Sequence, residues 1–150
     1  MNLLSDEDVF GLMPFSSQFD RSSTGNLLKT SRQQSLNQIR GLFAEGGTAL
    51  YDAIDAAYTT LSSQPDEGRI GAIVVLTDGA DTNSTLKIEA LLARFAAKRE
   101  SGGIRVFTIA YGKDANKDIL KRIAEATQAS FAAGSTDNII TVFRDISTFF

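Results

Sequence analysis

The sequence predicts an α/β fold, a mostly parallel sheet covered by helices on both faces. Three observations carry that prediction. Residues 72–77 (AIVVLT) and 104–111 (IRVFTIAY) are short, β-branched, largely apolar runs, the pattern of strands buried on both faces. Around them lie segments whose apolar residues recur at helical spacing. Strand and helix alternate, and such alternation folds as a parallel sheet with crossover helices.

Taken in order, residues 9–15 (VFGLMPF) follow Asp6-Glu7-Asp8 and read as a buried strand ending at Ser16-Ser17. Residues 22–30 are rich in Ser, Thr and Gly, with Leu27-Leu28 as a short edge strand. From Ser31 a helix is expected, with Leu36, Ile39 and Phe43 on one face, stopped by Gly46-Gly47. A second helix begins at Thr48 and carries Leu50, Ile54, Ala57 and Leu61 on one side. Pro65-Asp66-Glu67-Gly68 is a turn. After the strand at 72–77 comes a helix over 85–99, striped by Ile88, Leu91, Leu92 and Phe95, and ended by Ser101-Gly102-Gly103. The strand at 104–111 leads to a helix over 118–127, a brief strand at 130–132 and a closing helix over 138–149.

Composition narrows the chemistry. The chain has 150 residues and a formal net charge of −3, with 43% hydrophobic and 22% charged residues, which suits one globular domain. It contains no Cys and no His. That excludes a disulfide framework, a thiolate nucleophile, a zinc ribbon and a Ser-His-Asp triad. Any metal must be a hard cation held by oxygen. Neither half carries a basic tract, so nucleic-acid binding has no electrostatic footprint. The longest purely apolar run, 72–76, is far too short to span a membrane, and residues 1–30 show no signal-peptide pattern.

In an open α/β sheet, ligands bind outside the carboxyl ends of the strands. Thr77-Asp78-Gly79 ends the strongest strand. The helix starting at Thr48 leads into that strand and runs antiparallel to it, so Gly47 and Thr48 belong at the same edge. Ser16 and Ser17 join them if their strand is parallel. A Thr hydroxyl and an Asp carboxylate over Gly-rich backbone suit a hard cation. Each piece also has a plainer role. Thr48 can cap its helix, Asp78-Gly79 can be a strand-ending turn, and Asp81 can be solvated or can cap the following helix. Asn83-Ser84-Thr85 matches a glycosylation sequon, a match frequent by chance.

Residues 46–53 (GGTALYDA), 73–79 (IVVLTDG), 107–112 (FTIAYG), 120–127 (LKRIAEAT) and 143–147 (FRDIS) together resemble the von Willebrand factor type A domain. The resemblance runs from about Asp8 to the end and is similar to bacterial members that follow an extracytoplasmic solute-binding domain, which implies an extracytoplasmic location. It implies a Rossmann-like sheet with a metal-ion-dependent adhesion site at its carboxyl edge. That site takes a D-x-S-x-S loop after the first strand, a Thr from a second loop and an Asp from a third. Thr48 matches the second element and Asp78 the third. The ion would be Mg²⁺, or Mn²⁺ or Ca²⁺, completed by a carboxylate from a protein partner. Ser16, Ser17, Gly47, Gly79 and Asp81 would form the surrounding partner-binding edge. No catalytic step is implied.

No D-x-S-x-S follows an apolar strand in this chain. Residues 2–6 (NLLSD) resemble the tail of the family's first helix and 9–15 its second strand. Residues 1–150 are therefore expected to be a single, N-terminally incomplete domain without its first central strand and primary metal loop. Asp20-Arg21-Ser22-Ser23-Thr24 fits D-x-S-x-T but follows the wrong strand. Two expectations follow. Divalent-ion binding is weak or absent, because Thr48 and Asp78 supply only one neutral oxygen and one carboxylate. Either the 9–15 strand pairs directly with 72–77, or the open edge promotes self-association. A metal-free interaction or assembly piece is the alternative to a recognition module. A nucleotide-binding enzyme is disfavoured, since no G-x-G-x-x-G follows a strand and no G-x-x-x-x-G-K-[ST] is present.

Overall fold

The computed structural model describes residues 3–19, 25–42, 46–64, 68–98 and 103–149. Its elements, in chain order, are β1 (Val9–Phe10), β2 (Asn26–Leu27), α1 (Leu28–Arg40), α2 (Leu50–Ser63), β3 (Ala72–Thr77), α3 (Ile88–Ala97), β4 (Arg105–Tyr111), α4 (Lys117–Ala126), β5 (Phe131–Gly134) and α5 (Ile139–Ser147). β3, β4 and β5 form a parallel sheet in that order, with Ala72 opposite Arg105 and Thr108 opposite Phe131.

Alternation along the strands sends side chains to two cores. On one face Val75, Val106 and Ala110 meet Leu50, Ile54 and Tyr58 of α2, Leu91 and Phe95 of α3, and Leu120 and Ile123 of α4. On the other, Phe107 and Ile109, with Ala72 and Val74, meet Ile139, Val142 and Ile146 of α5. Burying each large side chain contributes about 1.5–3 kcal/mol, which outweighs modest local propensities. The one fully buried hydroxyl inside the sheet, Thr108, donates to the Leu120 carbonyl at 2.8 Å, so its burial leaves no polar group unsatisfied. Asn116 caps α4 by accepting the Ile119 N–H at 3.1 Å. The α/β class, the parallel sheet and helices on both faces are thus present as the sequence predicts.

Three local readings are corrected. The expected strand over 9–15 is only Val9–Phe10, paired antiparallel with Asn26–Leu27. Gly11 weakens the run and Pro14 lacks an N–H for a ladder. It does not pair with β3, whose one strand neighbour among the described residues is β4. The first helix starts at Leu28 rather than Ser31, because the Leu28 and Lys29 N–H groups are held by the Asp8 and Asp6 carbonyls at 2.9 Å each. That anchor sets the helix phase: Leu28, Ser31 and Ser35 are buried, while Ile39 is 40% exposed. Phe43, Pro65, Asp66 and Glu67 lie outside the described residues.

Candidate functional site

The carboxyl end of β3 and the start of α2 meet at one edge of the sheet. Thr77 is buried, and its Oγ1 accepts the Gly79 N–H at 3.3 Å and donates to the Gly79 carbonyl at 3.1 Å, which turns the chain sharply after the strand. A Cβ added at Gly79 would lie 3.3 Å from Thr48 Oγ1. The Thr48 hydroxyl therefore sits directly over the Asp78-Gly79 backbone. Asp78 itself is exposed.

The first turn of α2 shows which side chains are already occupied. Helix N-termini leave N–H groups that need partners. Ala49 donates to the Ser16 carbonyl at 2.7 Å. Leu50 donates to Asp81 Oδ1 at 2.8 Å, and Tyr51 reaches the same oxygen at 3.3 Å and Ser84 Oγ at 2.9 Å. Asp52 donates to Ser84 Oγ at 3.1 Å, and that hydroxyl in turn donates to Asp81 Oδ1 at 2.5 Å. The contact is reciprocal, because the Asp52 carboxylate accepts the Thr85 N–H, the Thr85 hydroxyl and the Leu86 N–H, each at 2.9 Å. This last set ties down residues 85 and 86, which is why α3 begins at Ile88 instead of Thr85.

Two plainer roles are resolved by this clamp. Thr48 does not cap α2; the cap residue is Ala49 and carries no side-chain bond. Asp81 is half-buried, and its Oδ1 caps the preceding helix across the edge rather than the following one. Among the described residues, neither the Thr48 hydroxyl nor the Asp78 carboxylate takes a protein hydrogen bond. The Thr48 backbone is held instead: its N–H donates to Thr82 Oγ1 at 2.9 Å, and its carbonyl accepts Thr82 and Asn83 N–H at 2.8 and 3.0 Å.

Ser16 and Ser17 reach the edge by a different path from the one expected. They lie in a turn bracketed by the Phe15–Phe19 bridge, not at the end of a parallel strand. Ser17 Oγ accepts the Gly47 N–H at 2.7 Å. Gly46 takes φ +79°, a left-handed conformation costly for any side chain, and a Cβ there would lie 2.6 Å from Ser17 Oγ. So Ser16, Ser17, Gly47, Thr48, Gly79 and Asp81 are all brought together, with Asp78 at their rim. The supporting residues Asp52, Thr82 and Ser84 were not singled out from sequence; the polar run DTNST after T-D-G was their signal. Asp20-Arg21-Ser22-Ser23-Thr24 lies outside the described residues. Among the described residues no three Asp or Glu side chains cluster as a carboxylate cage would require. Tyr51, beside this edge, has its phenol raised above the usual range, first by burial, then by the charges of Asp81 and Glu89, with Arg122 opposing.

The parallel sheet with helices on both faces, and with Thr48 and Asp78-Gly79 meeting at its carboxyl edge, defines a Rossmann-like α/β domain. The sequence profile of the von Willebrand factor type A domain matches residues 1–145. The chain belongs to that family. No curated protein sequence matches it. Similar solved structures include a von Willebrand factor type A protein from Catenulispora acidiphila, at 20% identity and TM-score 0.79, covering 97% of this chain and 34% of that one. An aerotolerance-related membrane protein from Bacteroides fragilis matches at 16% identity and TM-score 0.72, covering 97% of this chain and 82% of that one. Proximal thread matrix protein 1 from the mussel byssus, with a zinc-occupied MIDAS motif, matches at 20% identity and TM-score 0.69, covering 94% and 34%. The chain thus spans about a third of the Catenulispora and mussel proteins. Domains of this family typically mediate protein interactions.

Proposed function

We propose that the chain is a protein-recognition module whose contact surface is the edge around Thr48 and Asp78, and that it is not an enzyme. The observation that supports this reading is how the polar groups divide. Asp81, Asp52, Ser84, Thr82 and Ser17 hydrogen-bond the scaffold, while Thr48 Oγ1 and Asp78 face outward without protein hydrogen bonds among the described residues. Because the α2 donors are satisfied by Asp81 and Ser84, the helix N-terminus offers no free anion site. The edge is therefore acidic, and a carboxylate-bearing partner needs a cation between.

Thr48 and Asp78 suit a hard cation in kind but not in number. Mg²⁺ requires near-octahedral oxygen coordination, and one hydroxyl with one carboxylate leaves most positions to water. The site is thus an incomplete metal-ion-dependent adhesion site, with Mg²⁺, Mn²⁺ or Ca²⁺ held weakly. Ser16, Ser17, Gly47 and Gly79 shape the contact edge, and Asp81 supports it from beneath. The family resemblance, and the similarity to an aerotolerance-related membrane protein from Bacteroides fragilis, favour an extracytoplasmic setting with a protein partner rather than nucleic acid or an inserted membrane segment.

The test is an amide NMR titration with Mn²⁺ and Mg²⁺. Selective Mn²⁺ broadening at Gly47, Thr48, Asp78 and Gly79, with a Kd in the millimolar range (about −4 kcal/mol) and loss in Asp78→Ala, is the expected result. Broadening spread evenly over surface carboxylates would overturn the site. Submillimolar affinity lost on Asp78→Ala would overturn its incompleteness.

A further inference from the structure

The amino ends of the strands, at the far side of the sheet from Thr48 and Asp78, hold a cavity of about 200 Å³. Tyr58 of α2, Phe95 near the end of α3, Ile104 and Arg105 at the start of β4, and Thr127 and Gln128 just after α4 line it. The Tyr58 and Phe95 rings pack with centres 4.8 Å apart and make an apolar floor. Thr127 belongs to the wall: its hydroxyl accepts the Val106 N–H at 2.9 Å and donates to the Ala124 carbonyl at 3.1 Å. The other polar groups are not engaged in this way. Tyr58 is 4% exposed, yet its hydroxyl takes no hydrogen bond among the described residues. Every fully buried side-chain N or O atom among those residues has a partner, so this hydroxyl must open onto the cavity. Burial raises the phenol above its usual range, so it keeps its proton at neutral pH and can donate. The Arg105 guanidinium meets no carboxylate among the described residues. Lys98 Nζ stands 5.7 Å from the centre of the Tyr58 ring, a second positive charge on that ring. Gln128 has φ 58°, the one left-handed non-glycine among the described residues. Its N–H and that of Ala129 donate to the Glu125 and Ala124 carbonyls at 3.1 and 3.0 Å, a helix stop that glycine makes without strain.

We infer that this cavity binds a small monocarboxylate with an apolar body, of about the size of benzoate. The apolar body covers the Tyr58 and Phe95 floor. The carboxylate accepts from the Arg105 guanidinium, whose fork matches its two oxygens, and from the Tyr58 hydroxyl and the Gln128 amide. Size agrees: a cavity of about 150 Å³ admits a benzene ring, and this one, at about 200 Å³, has room for a carboxylate as well. Charge agrees too, because a cation would meet Arg105 and Lys98, and a bare inorganic anion would leave the aromatic floor unfilled. The strain at Gln128 fits the same reading. Strained backbone persists where a side chain is needed, and glycine would end α4 at lower cost but could offer no amide.

An amide NMR titration of the full chain with sodium benzoate tests this. Saturable shifts confined to the surroundings of Tyr58, Ile104, Arg105 and Gln128, with a Kd of roughly 0.1–1 mM, are the expected result. Benzamide, the same shape without the charge, should bind at least about tenfold more weakly. Tyr58→Phe keeps the ring and removes the hydroxyl, and Arg105→Gln removes the charge; each should weaken benzoate at least about tenfold while far-UV circular dichroism stays native. Gln128→Gly relieves the left-handed strain, so it should not lower Tm, yet it should weaken benzoate about threefold. That variant separates the ligand contact from folding. No saturable shift up to about 10 mM overturns the inference. Shifts spread over surface Lys and Arg residues, benzamide binding as tightly as benzoate, or full affinity retained in any of the three variants overturn it as well.

Discussion

Asp81 and Asp78 stand three residues apart, and their replacement should have opposite consequences. Asp81→Ala removes one oxygen that accepts from Leu50, Tyr51 and Ser84 at 2.8, 3.3 and 2.5 Å. Leu50 is 2% exposed, so water enters poorly to replace the lost acceptor. A hydrogen bond to a charged group is worth about 1.5–3 kcal/mol, and loss of an N-terminal cap costs about 0.5–2 kcal/mol. These figures describe the same contacts, so the expected loss is about 2–3 kcal/mol. For a chain of this length that is a fall in Tm of about 5–10 °C. Asp78→Ala removes an exposed carboxylate and should change stability by less than about 0.5 kcal/mol. Urea denaturation followed by circular dichroism reads both, with m unchanged if the unfolded states match. Equal effects in the two variants, or a loss below about 0.5 kcal/mol for Asp81→Ala, would refute the division between scaffold and ligand-facing carboxylates.

Two further outcomes are expected. A Cβ at Gly47 would fall 1.8 Å from Asn83 Oδ1 and 2.8 Å from Thr82 Oγ1. Gly47→Ala should therefore cost about 1–3 kcal/mol in chemical denaturation; Asn83→Ala should restore part of it, because Thr82 still crowds the site, and full recovery or none would contradict the geometry. The Tyr51 phenol is raised chiefly by burial, with Asp81 and Glu89 adding and Arg122 opposing, and burial also raises Tyr58. The folded chain thus holds these protons more tightly than the unfolded chain, whose tyrosines titrate near pH 10. Stability is fully present below that value and falls as pH rises through the raised range. Tyr51→Phe should flatten this alkaline slope, and an unaltered slope would show that Tyr51 does not contribute.

What could be read from the sequence depended on how local the deciding interaction is. The run AIVVLT coincides with β3 at both ends because burial on two faces imprints every residue. β4 and α4 fall within a residue of expectation for the same reason, their apolar spacing being unbroken. The phase of α1 was not legible: Leu36 and Ile39 suggested one face, but Asp6 and Asp8, some twenty residues earlier, hold the first turn and select another. At the site, the meeting of Thr48 with Asp78-Gly79 followed from chain direction alone, since a crossover helix must return to the edge where its strand ends. Asp81 was misassigned because an acid just before a helix invites the nearest N-terminus, whereas its true partners lie 30 and 31 positions back along the chain.

That separation bears on the order of events during folding. The bonds joining residues 47–52 to Ser17 and to residues 81–86 span 30 to 35 positions. Loop-closure entropy opposes each of them, so the edge is expected to assemble after α2 and β3 have docked through their apolar faces. Thr48 and Asp78 therefore have no fixed relation in a partly folded chain. A ligand that needs both binds the native state alone, and at a hundred times its Kd would add about 2.7 kcal/mol to stability.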